Sequence, residues 1–217
     1  MWTLIKRELK DARVVILAMS ILVALSAIAI MASVWHEYMT DYRPPVGIPM
    51  NLAMGWFSLI LALITLGFNV MGGYQMRVDR KNKISTYLCT LHASRRKIYL
   101  SRICSGLLCV TFATLLLIVT TAVTFRLFPR LIDIDADYLW RMAAMLFCLS
   151  CTGYSLGLQT GWSNNKYLTS LGGAGLTILV MSMVMFKGIA NESLILLAVI
   201  STLALIRAWY KYSESSL

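Results

Sequence analysis

The residues whose spacing most resembles a chemical site are Cys148 and Cys151, in Cys148-Leu-Ser-Cys151, and the alternating carboxylates Asp133, Asp135 and Asp137. A CxxC pair can cycle as a disulfide or supply half of a zinc site. Here it lies within an apolar helix and has no His or carboxylate neighbour, so small packing residues explain it better. The chain has five cysteines, the others being Cys89, Cys104 and Cys109. An odd number, in apolar helices and basic segments, argues against a disulfide framework. The three carboxylates alternate like metal ligands but have no partner cluster nearby. Acidic residues favour a helix N-terminus, and a solvated helix start accounts for them. The two histidines, His36 and His92, fall at the edges of apolar stretches. An intramembrane protease needs a Ser with a buried His, a helical metal motif or paired Asp residues, and neither histidine has a fitting partner. No catalytic, cofactor-binding or metal-ligating residue is expected in this chain.

The elements that carry these residues follow from composition. The chain has 217 residues, of which 59% are hydrophobic and 14% charged, with mean hydropathy +0.71. Soluble domains carry roughly 25% charged residues, so the polar surface for an aqueous fold is missing. About 20 apolar residues span a bilayer. Six stretches qualify, at about 14–34, 52–74, 103–125, 139–160, 168–186 and 193–209. The expected fold class is therefore all-α: one polytopic transmembrane domain over 1–217, with six spans. Residues 1–13, with Glu8 and Asp11, are too long and too charged for a typical signal-peptide start, and the first span is expected to be retained.

Basic residues set the orientation. Fifteen Lys and Arg fall on one side of the six spans, and Arg43, Arg126, Arg130, Arg141 and Lys187 on the other. The richer side is expected to be cytoplasmic, which places both termini there in a multi-pass protein of the plasma (bacterial inner) membrane. The net charge of +10 then reports topology, with anionic lipid headgroups as its partner and no nucleic acid. Asp, Glu, Lys, Arg and His are missing from the span centres, and only Asn69 and Gln159 approach span ends. A proton- or ion-coupled carrier usually needs such groups. Gly172, Gly173 and Gly175 sit early in the fifth span, where small residues permit close helix approach; a broken helix is the alternative there.

Two segments outside the spans carry amphipathic patterns. On an N-terminal helix over 1–13, Trp2, Ile5, Leu9 and Ala12 share one face, while Lys6, Arg7, Lys10 and Arg13 cover much of the rest. Such a helix lies in the membrane interface. In the cytoplasmic segment 75–102, Ile84, Tyr87, Leu88 and Leu91 have i, i+3, i+4, i+7 spacing, which builds a short amphipathic helix. Its apolar face must meet either the bilayer or another protein.

These same segments resemble ABC-2 type transporter permeases. Trp2-Thr-Leu-Ile-Lys-Arg-Glu-Leu-Lys-Asp11 looks like the opening of that family, whose first span follows an interfacial elbow helix. Asp79-Arg-Lys-Asn-Lys-Ile-Ser-Thr86 and Ala93-Ser-Arg-Arg-Lys-Ile-Tyr-Leu-Ser-Arg102 are similar to its segment between spans two and three. The chain departs from the family at Ser85, where Gly is usual, and at His92, near a usual Pro. The resemblance covers the whole chain in topology and about thirty-five residues in motif.

It implies a permease, an exporter by the habit of the family, that forms its path with a second copy or a homologous permease. The chain has no GxxxxGK[ST] phosphate loop, so ATP and Mg would be bound by a separate nucleotide-binding ATPase subunit. The resemblance implies a coupling helix seated on that subunit through Ile84, Tyr87, Leu88 and Leu91, with Arg80, Lys83, Arg95 and Arg96 at the rim. A non-transporting assembly or scaffold subunit, or an intramembrane enzyme, are the alternatives.

Overall fold

In hydrocarbon a backbone has no hydrogen-bond partner but itself, which makes helix the form these apolar runs must take. The computed structural model describes Lys6, Lys10 and residues 13–39, 51–82, 94–127, 136–161, 166–187 and 191–214. Among these residues the chain is all-helical, with α1 Arg13–Met39, α2 Asn51–Asn82, α3 Arg95–Leu127, α4 Ala136–Gly161, α5 Lys166–Lys187 and α6 Asn191–Glu214. Within them, Arg95–Val123, Trp140–Gly161 and Asn191–Glu214 are long and apolar enough to cross a membrane; Ser20–Ala29 and Leu171–Val184 are shorter apolar stretches. This is the architecture of a helical membrane protein.

The side chains are distributed as lipid demands. Leu17, Ile21, Leu25 and Ile28 on α1, and Ile195, Val199, Leu203 and Ile206 on α6, are exposed apolar residues at helical spacing. An apolar surface of this extent suits hydrocarbon and not water. Trp35 and Trp140 are exposed toward one end of the bundle, and Tyr74 and Tyr210 toward the other, where amphipathic rings sit at headgroup level.

α4 is the centre of the bundle, in contact with α2, α3, α5 and α6. Its most extensive contact is with α2, and glycine makes that contact possible. Gly153, Gly157 and Gly161 recur every four residues and so line one face of α4. A Cβ on Gly153 would lie 2.6 Å from the carbonyl oxygen of Thr65, and one on Gly161 would lie 2.5 Å from that of Gly73. On Gly157 it would collide with the carbonyl oxygen of Asn69. From the other side, a Cβ on Gly72 would come within 2.5 Å of the Tyr154 carbonyl oxygen. The two backbones touch without side chains between them, a packing that small residues allow in membranes. Residue numbers rise together along this contact, so α2 and α4 run parallel.

Of the glycines singled out in the fifth span, Gly173 is buried and permits close packing, since a Cβ there would collide with the side chain of Thr160 on α4, whereas nothing lies within 4 Å of a Cβ built on Gly172 or Gly175. α5 is continuous through all three. The backbone-to-backbone approach belongs to α2 and α4, where glycine recurs at the four-residue period that keeps it on one face.

Polar side chains fasten the outer helices to this pair. Asn69 Nδ2 donates to Thr177 Oγ1 on α5 at 2.8 Å, the hydroxyls of Ser155 and Ser201 lie 2.9 Å apart between α4 and α6, and Thr152 Oγ1 donates to the Leu197 carbonyl at 3.3 Å. Two apolar clusters fill the remainder. One centres on Phe68, Val110, Leu117 and Tyr154, and the other on Leu149, Val180, Val184 and Leu197.

Gly157→Ala is expected to destabilise the fold by about 1–3 kcal/mol, the range for overpacking, since its obstacle is backbone and cannot rotate away. Gly172→Ala should be neutral or slightly stabilising. Thermal unfolding of both variants in detergent checks the contrast.

Candidate functional site

The segment between α2 and α3 is framed by helices that run well past the apolar stretches. α2 continues to Asn82 and α3 begins at Arg95, so less of 75–102 is connecting chain than hydropathy alone suggests. α3 has 33 residues, about 50 Å at 1.5 Å per residue, against a hydrocarbon thickness of about 30 Å. It is therefore longer than the layer it could cross. Ser94 starts this helix, its carbonyl accepting from Ile98 N at 3.2 Å and Lys97 N at 2.9 Å. Arg80 and Lys81 occupy the last turn of α2, where cations complement the helix dipole.

The facing ends of α2 and α3 are held by a buried polar cluster. Asp79 Oδ1 accepts from Arg102 Nη2 in an ion pair whose side chains are 2% and 1% exposed. Asp79 sits in the last turn of α2, the end at which the dipole disfavours a carboxylate. Beside this pair, Tyr154 of α4, fully buried, donates to Gln75 Oε1 on α2 at 2.8 Å and lies 3.2 Å from the Arg102 carbonyl. Ser105 Oγ donates to that same carbonyl at 2.8 Å and accepts from Gln75 Nε2 at 3.3 Å. Gly106 leaves the room for this: a Cβ there would overlap the phenol of Tyr154. Three helices thus meet on Gln75, Asp79, Arg102, Ser105 and Tyr154.

A second set of contacts ties α3 to α6. Tyr99 donates its hydroxyl to the Leu205 carbonyl at 2.9 Å, and its ring lies 5.0 Å from Trp209 and 5.4 Å from Tyr212. Aromatic pairs of this kind contribute about 0.5–1.5 kcal/mol each beyond burial. Arg95 Nη1 donates to the Ser213 carbonyl at 3.1 Å, placing a cation at the C-terminus of α6 as its dipole favours.

These contacts link the C-terminal turn of α2 and the N-terminal turns of α3 to each other through Asp79 and Arg102, to α4 through Tyr154 and to α6 through Tyr99.

The structure distributes the residues singled out in the sequence as follows. Arg80 and Arg96 are exposed on the facing helix ends, and Arg95 is half-buried against α6. Lys6 and Lys10 are exposed. Lys83, Ile84, Tyr87, Leu88 and Leu91 lie outside the described residues, as do Trp2, Ile5, Arg7 and Leu9, and also Cys89, His92, Asp133 and Asp135. Asp137 is exposed in the first turn of α4 and pairs with Arg141 at 2.9 Å. Cys148 and Cys151 are free thiols, as are Cys104 and Cys109. Among the described residues no group of three or more His, Cys, Asp or Glu is placed to hold a metal ion.

Sequence reasoning missed the pairing of Asp79 with Arg102, counting the first as part of a motif and the second as a basic flank. A signal was present: Asp79 is the one carboxylate between Asp41 and Asp133, amid a dense basic segment. Compared with protein-family models, curated proteins and solved structures, the chain matches none.

Removing one partner of a buried pair leaves the other charge uncompensated, a loss of about 3–5 kcal/mol, whereas replacing both with apolar groups is often neutral. Asp79→Ala is accordingly expected to lower unfolding stability by that amount in detergent, and the double variant Asp79→Leu/Arg102→Met to recover most of it.

Proposed function

We propose that this chain is the membrane subunit of an ABC-2 type transporter, an exporter that works as a pair of permeases driven by a separate ATPase. In this reading all six helices span the bacterial inner membrane, and both termini and the α2–α3 connection face the cytoplasm. The N-terminal residues form an interfacial elbow, and the connection carries the coupling helix.

The observation that supports it best is the anchoring of that connection. A loop that merely joined two spans would need no fixed base, yet both of its feet are held. The α2 foot is tied to α3 and α4 by Asp79 and Gln75, and the α3 foot to α6 by Tyr99 and Arg95. Force applied at the connection reaches four helices without first bending a hinge. The exposed cations at its edges, Arg80 and Arg96, suit an acidic rim around a groove in a partner. Closure of two ATPase subunits on ATP and Mg would draw the two coupling helices together, and the helices clamped to them would tilt to open a path between the permeases. The bonds that change are in the partner; this chain supplies the path and the lever.

The partner tests the reading. A tagged chain purified from its native membrane is expected to bring down a protein carrying a GxxxxGK[ST] motif. Leu88→Asp should abolish that capture while leaving the amount of membrane-inserted protein unchanged. If no such ATPase co-purifies, or Leu88→Asp retains it fully, the proposal fails.

A further inference from the structure

A second site is suggested by a cavity that the coupling cluster does not use. Between α1, α2 and α3 lies a space of about 290 Å³ with an almost wholly apolar lining. Its floor is formed by the buried Val23, Phe68 and Met71, and its rim by the exposed Ala24, Leu108 and Phe112, the last 66% exposed. It is therefore a groove on the hydrocarbon-facing surface and not a sealed void. An apolar groove open to lipid admits acyl chain; what gives it selectivity is charge.

Eleven residues make three helical turns to within a fifth of a residue, so positions eleven apart share a face and lie about 16 Å apart along the axis. Arg13 stands eleven residues before Ala24 on α1, and Lys97 eleven before Leu108 on α3, and both are exposed. One cation thus continues each wall of the groove toward the basic end of the bundle. The spacing of about 16 Å is close to half of the roughly 30 Å hydrocarbon layer. A phospholipid with its phosphate at the headgroup level of Arg13 and Lys97 would reach the groove with the distal part of its chain.

We infer that this groove is a specific binding site for one anionic phospholipid, with an acyl chain between α1 and α3 and its headgroup held by Arg13 and Lys97. The inference rests on the membrane-spanning reading and not on the ATPase partner, so failure to capture an ATPase leaves it standing. Such a lipid would brace α1 against α3, whose first turns carry the coupling cluster.

Native mass spectrometry of the delipidated full chain, titrated with an equimolar mixture of phosphatidylglycerol and phosphatidylcholine of identical acyl chains, tests it. The expected result is one retained phosphatidylglycerol per chain, favoured about thirtyfold over phosphatidylcholine, since two basic residues at the headgroup level supply the preference. Arg13→Gln/Lys97→Gln should bring that ratio close to one. Ala24→Phe, at an exposed rim position that can accept bulk without opening the core, should weaken retention of both lipids. Equal retention of the two lipids by the unaltered chain, or a preference that survives the double substitution, overturns the site. So does a lipid-free dimer, which would mean that a second copy fills the groove. If Ala24→Phe fails to fold, the double substitution still decides.

Discussion

The α2–α4 contact sets the geometry on which everything at the basic end depends. With Gly153, Gly157 and Gly161 facing Thr65, Asn69 and Gly73, two helix backbones approach as closely as their carbonyl oxygens permit. Tyr154 lies between the first two of these glycines, and only at that separation does its hydroxyl reach Gln75. A side chain between the helices would push the phenol away from both Gln75 and the Arg102 carbonyl. Gly106 serves the same end from α3, so the reach of one tyrosine explains glycine on two helices.

The ion pair next to it is not well described as a source of stability. Desolvating two charges costs about what their attraction returns, and a well-packed apolar pair often does as well. What Asp79 and Arg102 add is register. A carboxylate in the last turn of α2 and a guanidinium in the second turn of α3 meet through Oδ1 and Nη2 while Arg102 Nη1 stays buried without a hydrogen bond, so sliding the helices by a turn would cost the charge-assisted contact this buried guanidinium makes with the carboxylate. The aromatic cluster of Tyr99, Trp209 and Tyr212 and the Arg95 contact with Ser213 fix α3 against α6 at the same level. Together these contacts tie the facing ends of α2 and α3 to α4 and α6 at the basic end of the bundle.

Hydropathy made the helices legible. The apolar stretches at 139–160 and 168–186 lie within α4 and α5, which exceed them by three residues and two at the N-terminal ends and by one residue at each C-terminal end. It failed where polar residues are satisfied inside the protein. Gln75, Asp79 and Arg102 lower the hydropathy of the α2 and α3 ends, yet their partners let both helices continue. Of the crowded Gly172, Gly173 and Gly175, only Gly173 faces α4, because adjacent glycines point in different directions around a helix. The sparser pattern in α4 packs more extensively, since a period of four holds three glycines on one face. Asp79 shows a related lesson: its meaning lay in being a lone carboxylate among cations, which no local periodicity expresses. The amphipathic spacing of Ile84, Tyr87, Leu88 and Leu91 has its force from the sequence, and the structure adds only the anchored helix ends on either side of it.

The central claim is that the feet of the α2–α3 connection belong to the same rigid unit as the middle of the bundle. Hydrogen exchange of the purified protein in lipid nanodiscs measures this directly, because amides exchange through the opening of cooperative units. If the account is right, amides of residues 75–79 and 98–105 exchange as slowly as those of 152–158, and Tyr154→Phe accelerates all three segments together. Fast exchange of 75–79 and 98–105 in the unaltered protein, with 152–158 still protected, would mean that the feet open independently and would contradict it.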